Sequence, residues 1–117
     1  MTKECQIKTI SVHELKAHYD NAEQISLIDV RELDEWREQH IPGAIHIPKD
    51  TLISLIQEKI PEHSKPIYLH CRAGVRSLHA ADCLLELGYK EVYSVDGGIV
   101  EWEKAGYPVK TAIDDQH

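Results

Sequence analysis

Pro66-Ile67-Tyr68-Leu69-His70-Cys71-Arg72-Ala73-Gly74-Val75-Arg76-Ser77 places a thiol where a hydrophobic run ends and a helix is about to begin. A short apolar run bounded by turn residues reads as a buried strand, and the segment from Ser77 to Leu87 has helical spacing closed by Gly88. The loop between them holds Gly74 and two arginines, Arg72 and Arg76. A strand end, a tight loop and a helix N-terminus gather backbone N–H groups, a helix dipole and guanidinium charge around one sulfur. Each of these favours the thiolate, which is the nucleophilic form. Cys71 is therefore the candidate nucleophile. The competing reading is a small, inert residue at a strand end, since free cysteines are commonly buried.

Strand and helix alternate on both sides of this loop. Ile7 to Ile10 reads as a short strand, and Ser11 with Glu14 has the spacing of a capping box for a helix through about Tyr19. Ser26 to Val30 is an apolar run of the buried-strand type. Leu33, Trp36, Arg37 and His40 then recur at helical intervals until Pro42-Gly43 turns the chain. Trp36 and Trp102 read as core residues on apolar helical faces. Ala44 to Ile47 forms a further strand, and Asp50 is the expected cap of a helix carrying Leu52, Leu55, Ile56 and Lys59. Glu91 to Val95 is the last strand. The alternation predicts an α/β fold with a central, mainly parallel five-stranded sheet and helices on both faces. In such a sheet ligands sit beyond the carboxyl ends of the strands, where the Cys71 loop lies.

A chain of 117 residues, 42% hydrophobic and 28% charged, supports one core. Residues 1–117 are read as a single domain with its core at about 7–109 and a frayed tail over 111–117. The start of the chain lacks a secretory signal, and no run approaches the ~20 apolar residues of a membrane span, so a cytoplasmic location is expected. The net charge of −7 argues against nucleic acid and anionic membranes as partners, so an anionic substrate has to be drawn in locally. Three cysteines, at positions 5, 71 and 83, fit neither a disulfide framework nor paired zinc ligands. Cys83 reads as packing, and Cys5 as exposed. His40 and His46 flank the Pro42-Gly43 turn without a further ligand at suitable spacing, so no metal and no cofactor are expected.

Within the loop, Gly74 allows conformations that bring successive N–H groups to one centre, and Ser77 is a candidate helix cap. Arg72 and Arg76 offer planar donors to an anion. Cys71 to Ser77 resembles the active-site loop of the rhodanese sulfurtransferases. Leu27-Ile28-Asp29-Val30-Arg31-Glu32, Glu35-Trp36 and the run from His40 to Pro48 resemble the family's N-terminal signature. Asp96-Gly97-Gly98, Trp102 and the run from Gly106 to Val109 resemble its C-terminal one.

The resemblance implies a sulfurtransferase. Cys71 would take sulfane sulfur from thiosulfate or a persulfide donor, hold it as a persulfide and pass it to a thiol or cyanide, with ping-pong kinetics. It assigns substrate binding to Arg72, Ala73, Gly74, Val75, Arg76 and Ser77, and a supporting role to Asp29 and Arg31. A plain surface pair worth under ~1 kcal/mol is the other reading of those last two. A sulfur-relay protein is a further candidate partner. The third loop position, often basic in the two-domain thiosulfate enzymes, is Ala73 here, which leaves the donor open. Related Cys-based phosphatases and arsenate reductases place five residues between Cys and Arg, whereas here four separate Cys71 from Arg76. His70 echoes the phosphatase His-Cys pair but reads as a residue that orients the loop or fills space. A non-catalytic binding or redox-sensing module is the alternative of a different class.

Overall fold

The computed structural model describes residues 8–20 and 26–111. Five parallel strands, β1 (Lys8–Ile10), β2 (Ser26–Asp29), β3 (Ile45–His46), β4 (Ile67–His70) and β5 (Val92–Val95), form one sheet in the order β1-β5-β4-β2-β3. Between and after them run α1 (Val12–Asp20), α2 (Leu33–Glu38), α3 (Lys49–Lys59), α4 (Val75–Glu86) and α5 (Gly98–Lys104). The expected α/β architecture is present, and every pairing is parallel.

Alternation along the central strands sorts side chains into two cores. Ile28, Ile67, Leu69 and Val92 face Leu52, Ile56, Ala80 and Leu84 of α3 and α4. Leu27, Tyr68 and Val95 face Leu15 of α1 and Ile99 and Trp102 of α5. Strands buried on both faces explain why β2 and β4 read as near-continuous apolar runs. Because β4 is central and ends at His70, Cys71 emerges at the carboxyl edge of the sheet between β2 and β5.

Local chemistry accounts for several boundaries. Ser11 Oγ accepts from the Glu14 N–H at 3.0 Å while Glu14 accepts from the Ser11 N–H at 3.1 Å, completing the expected capping box. Two expected caps differ. Pro48, not Asp50, precedes α3, because proline's fixed φ suits the residue just ahead of a helix and leaves Asp50 inside the first turn. Gly74, not Ser77, precedes α4 in a left-handed conformation with φ 107°, so the helix starts two residues earlier than its spacing implies.

Trp102 is fully buried, as expected, but Trp36 is not a core residue. The short α2 has no buried residue, and Leu33 is 48% exposed. Trp36 instead stacks on His40, with ring centroids 3.7 Å apart, and on His46 at 5.0 Å. His40 Nδ1–H donates to the Trp36 carbonyl and His46 Nε2–H to the Arg31 carbonyl, each at 2.9 Å, so these histidines act as packing and hydrogen-bonding groups. Among the described residues no helix is long and apolar enough to cross a membrane. Cys83 is half-buried on α4; Cys5, Ile7 and the tail beyond Thr111 lie outside the described residues.

Candidate active site

The loop from Cys71 to Gly74 folds back over its own sulfur. Gly74 N–H donates to Cys71 Sγ at 3.1 Å, and the Ser77 hydroxyl lies 3.7 Å from the same atom. Ser77 sits in the first turn of α4, fully buried, where its Oγ–H donates to the Gly74 carbonyl at 3.2 Å. A second buried hydroxyl, Ser94 on β5, is 2.7 Å from Ser77 Oγ and fixes its rotamer. The first helical bond of α4 runs from Leu78 N–H to the Gly74 carbonyl. Among the described residues, nothing accepts from the N–H groups of Ala73, Val75 and Arg76. The loop therefore presents one amide already on the sulfur and further open donors beside it, an arrangement that receives negative charge. Cys71 is 1% exposed, so only a small group fits against Sγ.

The C-terminal motif supports this loop from behind. Ile99 N–H donates to the Cys71 carbonyl at 2.9 Å and Val100 N–H to the Arg72 carbonyl at 3.1 Å. That approach requires Gly98: a Cβ there would lie 2.3 Å from the Cys71 oxygen and 2.7 Å from that of Arg72.

The loop's charges separate. Arg72 is exposed, whereas Arg76 Nη1 and Nη2 donate to the two oxygens of Glu35 at 2.8 and 2.9 Å, tying α4 to α2. Glu35 also accepts from the Glu32 N–H at 2.9 Å, closing the capping box of α2. The Arg76 bond, ahead of the other contacts, holds the Glu35 carboxyl down at about 2, so this clamp persists far into acid and is lost only as pH falls toward that value. Ala73 and Val75 turn their side chains to solvent.

Asp29 and Arg31 are buried, which rules out a surface pair. Arg31 Nη2 donates to Asp29 Oδ2 at 2.8 Å and to the Gln39 carbonyl at 2.6 Å, and Arg31 N–H donates to Asp29 Oδ1 at 2.9 Å. The pair thus fixes the chain after β2 against the end of α2. Burial would raise the Asp29 carboxyl, but His70 and Arg31 outweigh it and hold it below its ordinary value.

His70, fully buried, has Nδ1 3.4 Å from the Cys71 carbonyl and Nε2 3.6 Å from Asp29 Oδ2; among the described residues Nε2 has no hydrogen-bond partner. Burial, exceeding the attraction of Asp29, lowers its pKa from 6.5, with Arg31 and His40 acting in the same direction as burial. The unfolded chain then binds this proton more readily. From this group, stability should be unchanged above about pH 6.5 and fall below it, by up to about 1.4 kcal/mol per pH unit. Urea denaturation at pH 7.5 and pH 5.5 checks this: the wild type should lose stability on acidification, and His70→Asn should lose less. Equal losses would remove His70 as the cause.

Residues 11–105 match the Rhodanese-like domain family. The chain belongs to that family. Over 98 residues it is 34% identical to the putative sulfur carrier protein YrkF of Bacillus subtilis, covering 82% of this chain and 51% of that one. It is 30% identical over 89 residues to thiosulfate sulfurtransferase GlpE of Vibrio cholerae, covering 76% of this chain and 82% of that one. The solution structure of Helicobacter pylori protein hp1203 superposes with a TM-score of 0.73 at 36% identity, covering 92% of this chain and 91% of that one. The chain therefore spans about half of YrkF and most of GlpE.

In this rhodanese-like domain Cys71, Gly74 and Ser77 converge on the sulfur, while Arg72, Ala73 and Val75 face outward. Asp29 and Arg31 stand behind the loop with His70, and Arg76 is engaged by Glu35. Two contributors were not among the candidates read from sequence. Glu35 lies 41 residues from its partner Arg76, and Ser94 lies 17 from Ser77. A polar residue inside an otherwise apolar strand was the one available signal for Ser94.

Proposed function

We propose that this domain is a sulfurtransferase that carries sulfane sulfur on Cys71. The observation that carries this reading is the Gly74 N–H on Cys71 Sγ at 3.1 Å, in a loop whose neighbouring amides are open. The Cys71 thiolate attacks the outer sulfur of a donor, thiosulfate or a persulfide. The donor's S–S bond breaks, and its electron pair leaves on sulfite or on the donor thiolate. The Cys71 persulfide is anionic when deprotonated, and the loop amides are placed to stabilise it. A thiol or cyanide acceptor then removes the outer sulfur and regenerates Cys71.

Ser77 and Ser94 orient the sulfur, Arg76 and Glu35 hold the loop on α2, and Arg72 meets the substrate. The sulfur-carrier name of YrkF and the thiosulfate sulfurtransferase name of GlpE support the same chemistry, and the former extends it to a protein partner in a sulfur relay. The Cys-to-Arg spacing, one residue short of a phosphatase loop, and the engagement of Arg76 by Glu35 disfavour phosphate.

Intact-mass measurement after exposure to thiosulfate or a small persulfide tests the reading. The protein should gain the mass of one sulfur atom, mapped to Cys71 and removed by cyanide or a thiol. An unmodified protein with no turnover on any donor would leave a binding or sensing module.

A further inference from the structure

Ser94 stands on the face of β5 that also carries Val92, turned toward the apolar core beneath α3 and α4. It is 1% exposed, and a hydroxyl buried among apolar groups costs free energy unless it is hydrogen-bonded. Among the described residues Ser77 Oγ, at 2.7 Å, is the one partner of its Oγ. The single hydrogen of Ser77 goes to the Gly74 carbonyl, so Ser94 is the donor of the bond between the two hydroxyls.

Ser77 Oγ thus has its hydrogen and both lone pairs in use. The hydrogen meets the Gly74 carbonyl at 3.2 Å, one lone pair accepts from Ser94, and the other faces the Cys71 thiol hydrogen with Sγ at 3.7 Å. This arrangement closes only while the sulfur is protonated. When the thiol proton leaves for a base in solution, Sγ changes from donor to acceptor, and an oxygen lone pair is left facing a negative charge. Rotation about the Ser77 Cβ–Oγ bond reverses that contact by turning the hydrogen from the Gly74 carbonyl to the thiolate. The Gly74 carbonyl is not orphaned, because it keeps the Leu78 N–H at 3.3 Å. Ser94 donates to Ser77 in both states, which holds the oxygen in place while its hydrogen turns and makes that O–H a stronger donor.

We propose that Ser94 is a positioning residue for Cys71, stabilising thiolate over thiol through the hydroxyl of Ser77. No proton passes along the two hydroxyls. Each keeps its own, and the one bond broken is S–H, whose proton goes to solution. For its use in catalysis this role rests on the sulfur-transfer reading, in which the thiolate attacks the donor.

Alkylation of Cys71 by iodoacetamide, followed across pH and assigned by peptide mass, reads the thiolate without requiring transfer. Ser94→Ala should move the profile to higher pH, so that below the midpoint Cys71 reacts about threefold more slowly while the high-pH plateau is unchanged. Ser77→Ala should slow it about tenfold, the size of one charge-assisted bond, and adding Ser94→Ala to it should change nothing more. Ser94→Thr keeps the hydroxyl and should keep the wild-type profile. Ser94→Cys, similar in size but a weaker donor, should shift it in the same direction as Ser94→Ala and replaces that variant if it does not fold. A wild-type profile in both Ser94→Ala and Ser94→Cys overturns the inference, as does an equal shift with and without the Ser77 hydroxyl. Loading from thiosulfate, read by intact mass, is a separate measurement. A wild type that never loads, yet whose alkylation profile depends on Ser94 through Ser77, leaves the inference standing and removes the sulfur-transfer reading.

Discussion

Gly98→Ala should cost about 2–5 kcal/mol of stability and lower sulfur transfer by about a hundredfold. Two effects add. Gly98 has φ +56°, where a side chain costs roughly 1–2 kcal/mol. The new Cβ would also lie 2.3 Å from the Cys71 oxygen and 2.8 Å from the Arg72 carbonyl carbon. Both are backbone atoms, so no rotamer change relieves the contact, and overpacking of this kind costs about 1–3 kcal/mol. The α5 start and the loop must move apart, stretching the Ile99 and Val100 bonds that position Cys71. A displacement of about 1 Å at a reacting group is worth about a hundredfold in rate. Gly106→Ala is the control, because φ there is +83° but no atom lies within 4 Å of the added carbon. Urea denaturation and steady-state transfer on both variants separate strain from contact. Equal losses in the two would refute the role given to the close approach at Gly98.

Cys71→Ser should abolish sulfur transfer, by at least about 10³-fold, while changing stability by no more than about 1 kcal/mol. The hydroxyl can take the same surroundings, since the Gly74 N–H and the Ser77 hydroxyl already give the atom it replaces polar neighbours. It cannot carry sulfane sulfur, because the transfer depends on a thiolate forming an S–S bond. Cys83→Ser, on the half-buried face of α4, should retain activity. Thermal melts alongside donor turnover check both halves. If Cys71→Ser kept a tenth or more of the activity, another thiol would have to be the carrier.

The parts legible in the sequence are those set by near neighbours. The Ser11–Glu14 capping box is a contact over three residues, and β2 and β4 are read from apolar runs that any strand buried on both faces must have. The errors are of another kind. Trp36 and Leu33 recur at helical spacing, yet α2 buries no residue, so periodicity alone did not reveal which face of the helix, if any, meets a core. Asp50 and Ser77 are good capping residues by type, but the backbone turns at Pro48 and Gly74 placed the helix starts ahead of them.

The loop from Cys71 to Ser77 is legible as the candidate reactive site from residue type and order alone. Glycine conformation, strand-to-helix geometry and the number of residues to Arg76 are local properties, and the last is one residue short of the phosphatase spacing. What only the tertiary structure decided is how that loop is held and what faces it. Arg76 goes to Glu35, the Cys71 carbonyl goes to Ile99, Ser77 is set by Ser94, and Arg72 stands in a cleft with Glu38 and Glu103. The physical reason is sequence distance. These partners meet only because the parallel sheet brings the ends of β2, β4 and β5 and the starts of their following helices to one edge, and no local pattern encodes which side chains will then be within reach.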